Sequence, residues 1–388
     1  MALFNQLGPQ AQSLPESKII EVVNHARARE DVIKLWVGEG DQPTPAFICD
    51  AAVRSLRDGE TFYTWQRGIP PLREALARYH ERHFGGPHDP ETFFVTGSGM
   101  QSIKLVIEAL CTAGDEVVYL SPAWPNITAA LGLFGVRPVP VLLDFQPQGW
   151  TFDPQRLEAA IGPSTRALFI NTPSNPTGWT ATETDLRAIL DLARARGLWI
   201  VADEIYSRFY YGGHRAPSFL DIMEDNDRIL FVNTFSKNWA MTGWRAGWIK
   251  APAEIGQTFE SLIQYSTSGV PEFVQRGAVA ALNDGDAWVE EQKTKARRAR
   301  DVLHAALTAT NRVRFPAPDG AFYAFFSIDG LEDSTAAVYR LVDEAGVGLS
   351  PGDGFGPGGH AFLRACFLRR LDHVEQASER LAKFVCSL

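Results

Sequence analysis

Residues 229–249 read ILFVNTFSKNWAMTGWRAGWI. The run 229–232 is short, apolar and bounded, the pattern of a strand buried on both faces in a parallel sheet. Three small polar residues, Asn233, Thr234 and Ser236, lead to Lys237, with Trp239, Met241 and Trp244 close behind. Arg245 follows, ahead of a second apolar run at 246–249. Lysines normally sit among other charges on exposed faces. One set among aromatic and small residues loses hydration, which disfavours the ammonium form and leaves the nucleophilic amine that Schiff-base chemistry needs. A loop lysine that extends its stem to water is the plainer reading. Other parts of the chain decide between the two.

Outward from this stretch, further strands are predicted at 92–96, 116–120, 138–143, 167–171 and 198–202. A helix is predicted at 181–196, where Leu186, Ile189, Leu190 and Ala193 share one face. Strands alternating with helices imply an α/β fold with a mostly parallel sheet covered on both faces. Ligands gather at the carboxyl ends of such strands. Polar residues stand there: Ser98 after the first strand, then 171–175, Asp203, and 234–237. GSGMQ (97–101) reads as a tight turn onto a helix at 102–110, whose free N–H groups and dipole suit a phosphate. It is neither a P-loop nor a GxGxxG fingerprint.

The flanks differ in texture. Helices are predicted at 16–29, at 48–56 and from Pro70, with an apolar piece at 33–37, a Gly/Pro-crowded bend after it and an aromatic loop at 63–68. Beyond 285, one long charged helix at 286–310 leads to strands near 321–327 and 361–367 and helices near 333–345 and 371–385. The glycine-rich segment 346–362 lies among them, read equally as a ligand-approaching or a plain surface loop. The expected organisation is an N-terminal segment, 1–45, packing with the small domain, a large ligand-binding domain at 46–285, and a small α+β domain at 286–388.

Composition limits the function classes. The chain has 388 residues, 45% hydrophobic and 21% charged, as in a globular protein long enough for two domains. Its net charge of −9 argues against nucleic-acid binding through a basic surface. Cys49, Cys111, Cys366 and Cys386 form no CxxC pair, and no HExxH occurs, so neither a disulfide framework nor a metal site is expected. The N-terminal residues lack a signal-peptide pattern, and no apolar run approaches a membrane span. The expectation is a soluble, cytoplasmic chain.

Three further residues stand beside Lys237. Asp203 ends a strand that should be buried, where a carboxylate is costly unless a cation meets it. Asn175 sits in SNPTG (174–178), and Arg364 follows the apolar 361–363. Singly, these read as a helix cap, turn chemistry and a structural ion pair. In order and spacing, however, SNPTG, ADEIY (202–206) and SKNWAMTGWRAGW (236–248) resemble the fold-type I, class I/II aminotransferases that use pyridoxal 5′-phosphate (PLP), the aspartate aminotransferase-like group. The likeness runs from VGEGDQPTP (37–45) to LRACF (363–367).

The resemblance implies a mostly parallel, seven-stranded-type sheet sandwiched by helices, with a smaller α+β domain built from both chain ends. It also implies a homodimer with shared active sites, and transamination between an L-amino acid and a 2-oxo acid. By the same resemblance Lys237 would bond PLP and serve as general acid and base. Asp203 would pair with the pyridine nitrogen, Tyr206 and Asn175 would meet the ring's 3′-oxygen, and Trp124 would stack on the ring. Ser98, Gly99, Met100, Thr234, Ser236 and Arg245 would surround the phosphate. Tyr63 would reach the neighbouring subunit's phosphate, with Ser266 a further candidate. Arg364 would hold the substrate carboxylate, joined by the Gly38 backbone and Asn175.

Met100 departs from acidic-substrate members, some of which carry a lysine there, and 262–267 offers no substitute arginine. With Trp36, Trp65, Trp239 and Phe355 as candidate neighbours, an apolar or aromatic substrate is expected. The motifs leave open β-elimination by a C–S lyase or decarboxylation on the same cofactor, and a non-catalytic binding protein on the same fold.

Overall fold

A computed structural model describes residues 3–388. Seven strands form the main sheet: β1 Phe93–Thr96, β2 Glu116–Ser121, β3 Arg137–Leu142, β4 Thr165–Asn171, β5 Trp199–Asp203, β6 Ile229–Thr234 and β7 Gly247–Lys250. Their spatial order is β1-β7-β6-β5-β4-β2-β3, parallel except for β7. All seven predicted strands are present with small boundary shifts. Strand alternation sends successive side chains to opposite faces. Thus Leu230 and Val232 of β6 pack with Ile103 and Phe259, while Ile229 and Phe231 pack with Leu186 and Ile189 on the other side. Each such burial contributes roughly 1.5–3 kcal/mol.

The helix Glu183–Arg196 illustrates why these elements start and stop where they do. Asp185 N donates to Thr182 Oγ1 while Thr182 N donates to Asp185 Oδ2, a reciprocal cap. Gly197 ends the helix at φ 66°, a left-handed conformation that glycine adopts without a Cβ clash.

The parallel strands bring their carboxyl ends to one edge. β7 enters from that edge, since Gly247 pairs with both Thr96 and Thr234, so Arg245 lies there as well. Backbones crowd at this point: a Cβ on Gly247 would sit 2.7 Å from Asn233 O and 2.9 Å from Gly99 N.

A second, antiparallel sheet runs Val313–Arg314, Tyr323–Ile328, Leu363–Cys366, Ser350–Pro351. Ile33–Lys34 pairs with Val347–Gly348, joining the chain's two ends. The core beneath combines Val22, Leu35 and Trp36 with Leu303, Phe322 and Leu381. The helix Asp286–Thr308 serves both cores, with Val289 packed on the Trp239–Trp248 side and Ala296, Ala299, Leu303 and Leu307 on the other.

Two local predictions need correction. The helix predicted at 102–110 runs Gly99–Leu110, because the Ser98 side chain caps it and draws Gly99, Met100 and Gln101 into its first turn. The 346–362 segment is packed down: Ser121 Oγ donates to Pro357 O at 2.8 Å, and Ala123 N donates to Phe355 O at 2.9 Å. Among the described residues no helix is long and apolar enough to cross a membrane.

Candidate active site

At the carboxyl edge a cavity of about 530 Å³ opens between the main sheet and the second sheet. Lys237 projects into it from the turn after β6, and its Nζ donates to Gly38 O at 2.7 Å. Burial pushes the ammonium down to about 8. Gly38 has no space for a side chain, because a Cβ there would run into the Tyr323 hydroxyl.

Asp203, the last residue of β5, is buried, and its Oδ1 has no hydrogen-bond partner among the described residues. Burial pushes the carboxyl up to about 7, opposed in part by the Ile205 backbone N–H and by Lys237. Tyr206 lies in the hydrogen-bonded turn after β5. The Tyr206 hydroxyl is 2.7 Å from that of Tyr323.

The helix Gly99–Leu110 aims its N-terminus at the cavity. Ser98 Oγ accepts from Gln101 N at 3.0 Å, while the N–H groups of Gly99 and Met100 belong to the turn that has no intrahelical acceptors. Thr234 Oγ1 donates to Ser236 Oγ at 2.9 Å on the facing side. Arg245, at φ 55°, is exposed at the rim and donates from Nη1 to Thr242 O at 2.5 Å. Trp124 and Met100 complete this wall.

Arg364 comes from the second, antiparallel sheet and is 2% exposed. Nη1 donates to Asn175 Oδ1 at 3.0 Å, and Nη2 to Ser350 Oγ at 3.2 Å and to Trp36 O. The Tyr323 and Phe355 rings each lie 4.7 Å from the guanidinium carbon. Nε is buried without a partner, and no carboxylate among the described residues pairs with this arginine. The structural ion pair weighed for Arg364 is therefore not formed.

The other named residues lie apart. Tyr63 is 93% exposed and outside its own chain's cavity. Ser266 accepts from Gln101 Nε2 at 2.8 Å beyond the lining. Of the four candidate aromatics, Trp36 offers its carbonyl and Phe355 its ring to Arg364, Trp65 is exposed, and Trp239 is in the core away from the cavity. Sequence reading missed Tyr323, Ile19 and Ile20, all in the cavity wall, while Asn171, within the polar run expected at 171–175, lines it as well. The two strands carrying Tyr323 and Arg364 were foreseen, but their register, Phe325 opposite Arg364, is a tertiary fact.

These groups fit PLP. An orphaned buried carboxylate suits a protonated ring nitrogen, free helix N–H groups suit a phosphate, and the amine between them suits an aldehyde. Residues 30–381 match the sequence profile of the family described as "Aminotransferase class I and II". The chain belongs to this family and is a PLP-dependent aminotransferase. It is 32% identical to an aspartate aminotransferase of Pyrococcus horikoshii, over 95% of each chain. It is 33% identical to aromatic-amino-acid aminotransferase 2 of Thermococcus litoralis, over 99% of this chain and 98% of that one. Among solved structures it resembles the Thermus thermophilus aspartate aminotransferase with maleate, at TM-score 0.90 and 33% identity, over 97% and 99% of the two chains.

Proposed function

We propose that the enzyme transfers the amino group of an apolar or aromatic L-amino acid to a 2-oxo acid, in a homodimer with shared active sites. The observation that carries the preference is the wall itself. Its cationic side chains are Lys237, Arg245 and Arg364, and Ile19, Ile20, Val37, Met100, Ile103 and Trp124 give it apolar surface. With Arg245 assigned to the phosphate and Arg364 to the α-carboxylate, no fixed cation is left for a distal carboxylate. Apolar walls favour an apolar side chain through its lost hydration. The printed name of the Thermococcus litoralis relative agrees with this preference.

In this reading the buried Arg364 holds the substrate carboxylate, using donors the protein leaves free, while Asn175 and the flanking rings keep its plane fixed. The bound cofactor supplies an aldehyde carbon and an electron-withdrawing ring that accepts the electron pair left when the α-proton departs. Lys237 Nζ would take the proton from the substrate α-carbon and deliver it to the cofactor's former aldehyde carbon, a 1,3 shift suited to a group near neutrality. Asp203 keeps the ring nitrogen protonated, Tyr206 and Asn175 address the 3′-oxygen, and Trp124 covers the ring face. Ser98, Gly99, Met100, Thr234, Ser236 and Arg245 hold the phosphate, and the partner subunit's Tyr63 adds a further donor. The Gly38 carbonyl receives Lys237 whenever its amine is free. The chain divides at about 45 and 285 into the large cofactor domain and a small domain made of both ends.

The test follows the visible cofactor band of purified protein as single amino acids are added. Phenylalanine and leucine should bleach it much faster than aspartate, and Met100→Lys should narrow that difference. Faster bleaching by aspartate in the wild type sinks the preference, and bleaching only with ammonia release points to elimination.

A further inference from the structure

We propose that Tyr323 is a positioning residue that directs the Tyr206 proton into the cavity and fixes the plane of Arg364, so that one ring ties the cofactor end of the site to the substrate end. The inference rests on the roles proposed for Tyr206 and Arg364. Tyr323 is fully buried on the strand Tyr323–Ile328, which belongs to the second sheet, whereas Tyr206 follows β5 of the main sheet. Their contact therefore spans the two parts of the molecule.

The direction of the shared proton follows from the neighbours. Each phenol has one proton to give. Burial pushes both hydroxyls upward, so both remain protonated near neutrality. Tyr323 Oη lies 2.7 Å from Tyr206 Oη but 3.5 Å from Gly38 O, and Gly38 O already accepts from Lys237 Nζ at 2.7 Å. Either hydroxyl can supply the short contact's proton; when Tyr206 gives its own to the cofactor's ring oxygen, the Tyr323 proton fills that contact in preference to the weak one at 3.5 Å. Tyr206 then accepts, and its own O–H is free to turn into the cavity that it lines. Accepting one hydrogen bond also polarises a hydroxyl and strengthens it as a donor.

The same ring lies 4.7 Å from the Arg364 guanidinium carbon, opposite Phe355 at an equal distance. This stack holds the guanidinium in the plane where Nη1 meets Asn175 and Nη2 meets Ser350. A phenylalanine at 323 keeps the stack and deletes the hydroxyl; a leucine removes both functions.

The test uses the PLP-loaded enzyme without substrate and reads the pH midpoint of the visible cofactor band. A donor to the cofactor's ring oxygen stabilises its anionic form, so losing that donor raises the midpoint. Tyr206→Phe should raise it. Tyr323→Phe should raise it by less, about half a pH unit, as expected for weakening one neutral hydrogen bond. In the Tyr206→Phe background, Tyr323→Phe should add nothing. The KM for the amino acid should hold in Tyr323→Phe and rise several-fold in Tyr323→Leu. Thermal melting of each variant identifies a general loosening, which would move the midpoint in both backgrounds alike. An unmoved midpoint in Tyr323→Phe, where Tyr206→Phe does shift it, overturns the inference, as does an additive shift in the double variant. An unmoved midpoint in Tyr206→Phe instead removes the assignment of Tyr206 to the cofactor, and this inference with it.

Discussion

Burial acts on Lys237 and Asp203 in the same sense, against charge, with opposite consequences for pH. The Lys237 amine is pushed down to about 8, so its unprotonated fraction grows around that pH instead of near 10.5. The rate at which cofactor-free protein captures added PLP should therefore rise with pH to a half-maximum near 8, followed by stopped-flow absorbance; a half-maximum near 10 would show a solvated lysine. Lys237→Ala should abolish both the capture and transamination. Asp203 behaves as an acid whose folded value, about 7, exceeds its unfolded 3.8. Its contribution to the stability of the cofactor-free protein is present below the unfolded value and lost as pH rises through 7. Cofactor-free Asp203→Asn should thus melt above the wild type at pH 8, by on the order of a few kcal/mol at most, with the gap closing near pH 4. PLP should reverse the order at pH 8, because the ring nitrogen gives the wild-type carboxylate its partner. A wild type that melts higher without cofactor would mean that Asp203 has another cation.

At the scale of elements, the turn after β5 matters as much as the strand. Two residues beyond Tyr206, Arg208 is completely buried and donates to Asp286 at 3.1 Å and Glu290 at 2.9 Å, both on the helix Asp286–Thr308. The turn that places Tyr206 is thereby anchored to the helix that packs in both cores. Arg208→Ala empties a fully buried position, although Asp286 keeps Arg82 and Glu290 keeps Lys293, and should cost about 2–3 kcal/mol in urea unfolding at pH 7. A loss under 1 kcal/mol would show that water replaces the guanidinium. The elements themselves were readable: Leu186, Ile189 and Leu190 recur at helical spacing, and 229–232 is an uninterrupted apolar run. The stretch 97–101 did not reveal, however, that the Ser98 hydroxyl would start the helix at Gly99.

On the whole molecule, Phe62, Tyr63 and Tyr265 are 83%, 93% and 88% exposed. Gly269 lies close to Trp65 O, which brings the 265–269 segment beside the 62–65 loop. An exposed aromatic patch of this kind marks an interaction surface. If a second copy covers it, sedimentation should give twice the mass of one chain. Phe62→Asp combined with Tyr265→Asp should then yield monomers with little activity, because Tyr63 would no longer reach its partner's site. Tyr63→Phe alone should leave the mass unchanged and weaken PLP binding about fivefold, the loss of one hydrogen bond. A monomeric wild type with full activity would refute the shared site.

The linear order of residues determined the α/β class and the seven strands, and the resemblance of its short motifs to a known family singled out Lys237, Asp203, Asn175 and Arg364. Periodicity and strand-end polarity are local properties, and the motifs lie within short stretches. Tertiary structure alone decided that Tyr323 meets Tyr206 across 117 residues and that Ile19 and Ile20 wall the cavity. It also left Arg364 without a carboxylate and Asp203 Oδ1 without a partner among the described residues. Those facts arise from the register of Tyr323–Ile328 on Leu363–Cys366 and from the folding back of the N-terminal segment. A side chain's solvation and partners depend on what distant segments bring against it, and no local pattern encodes that.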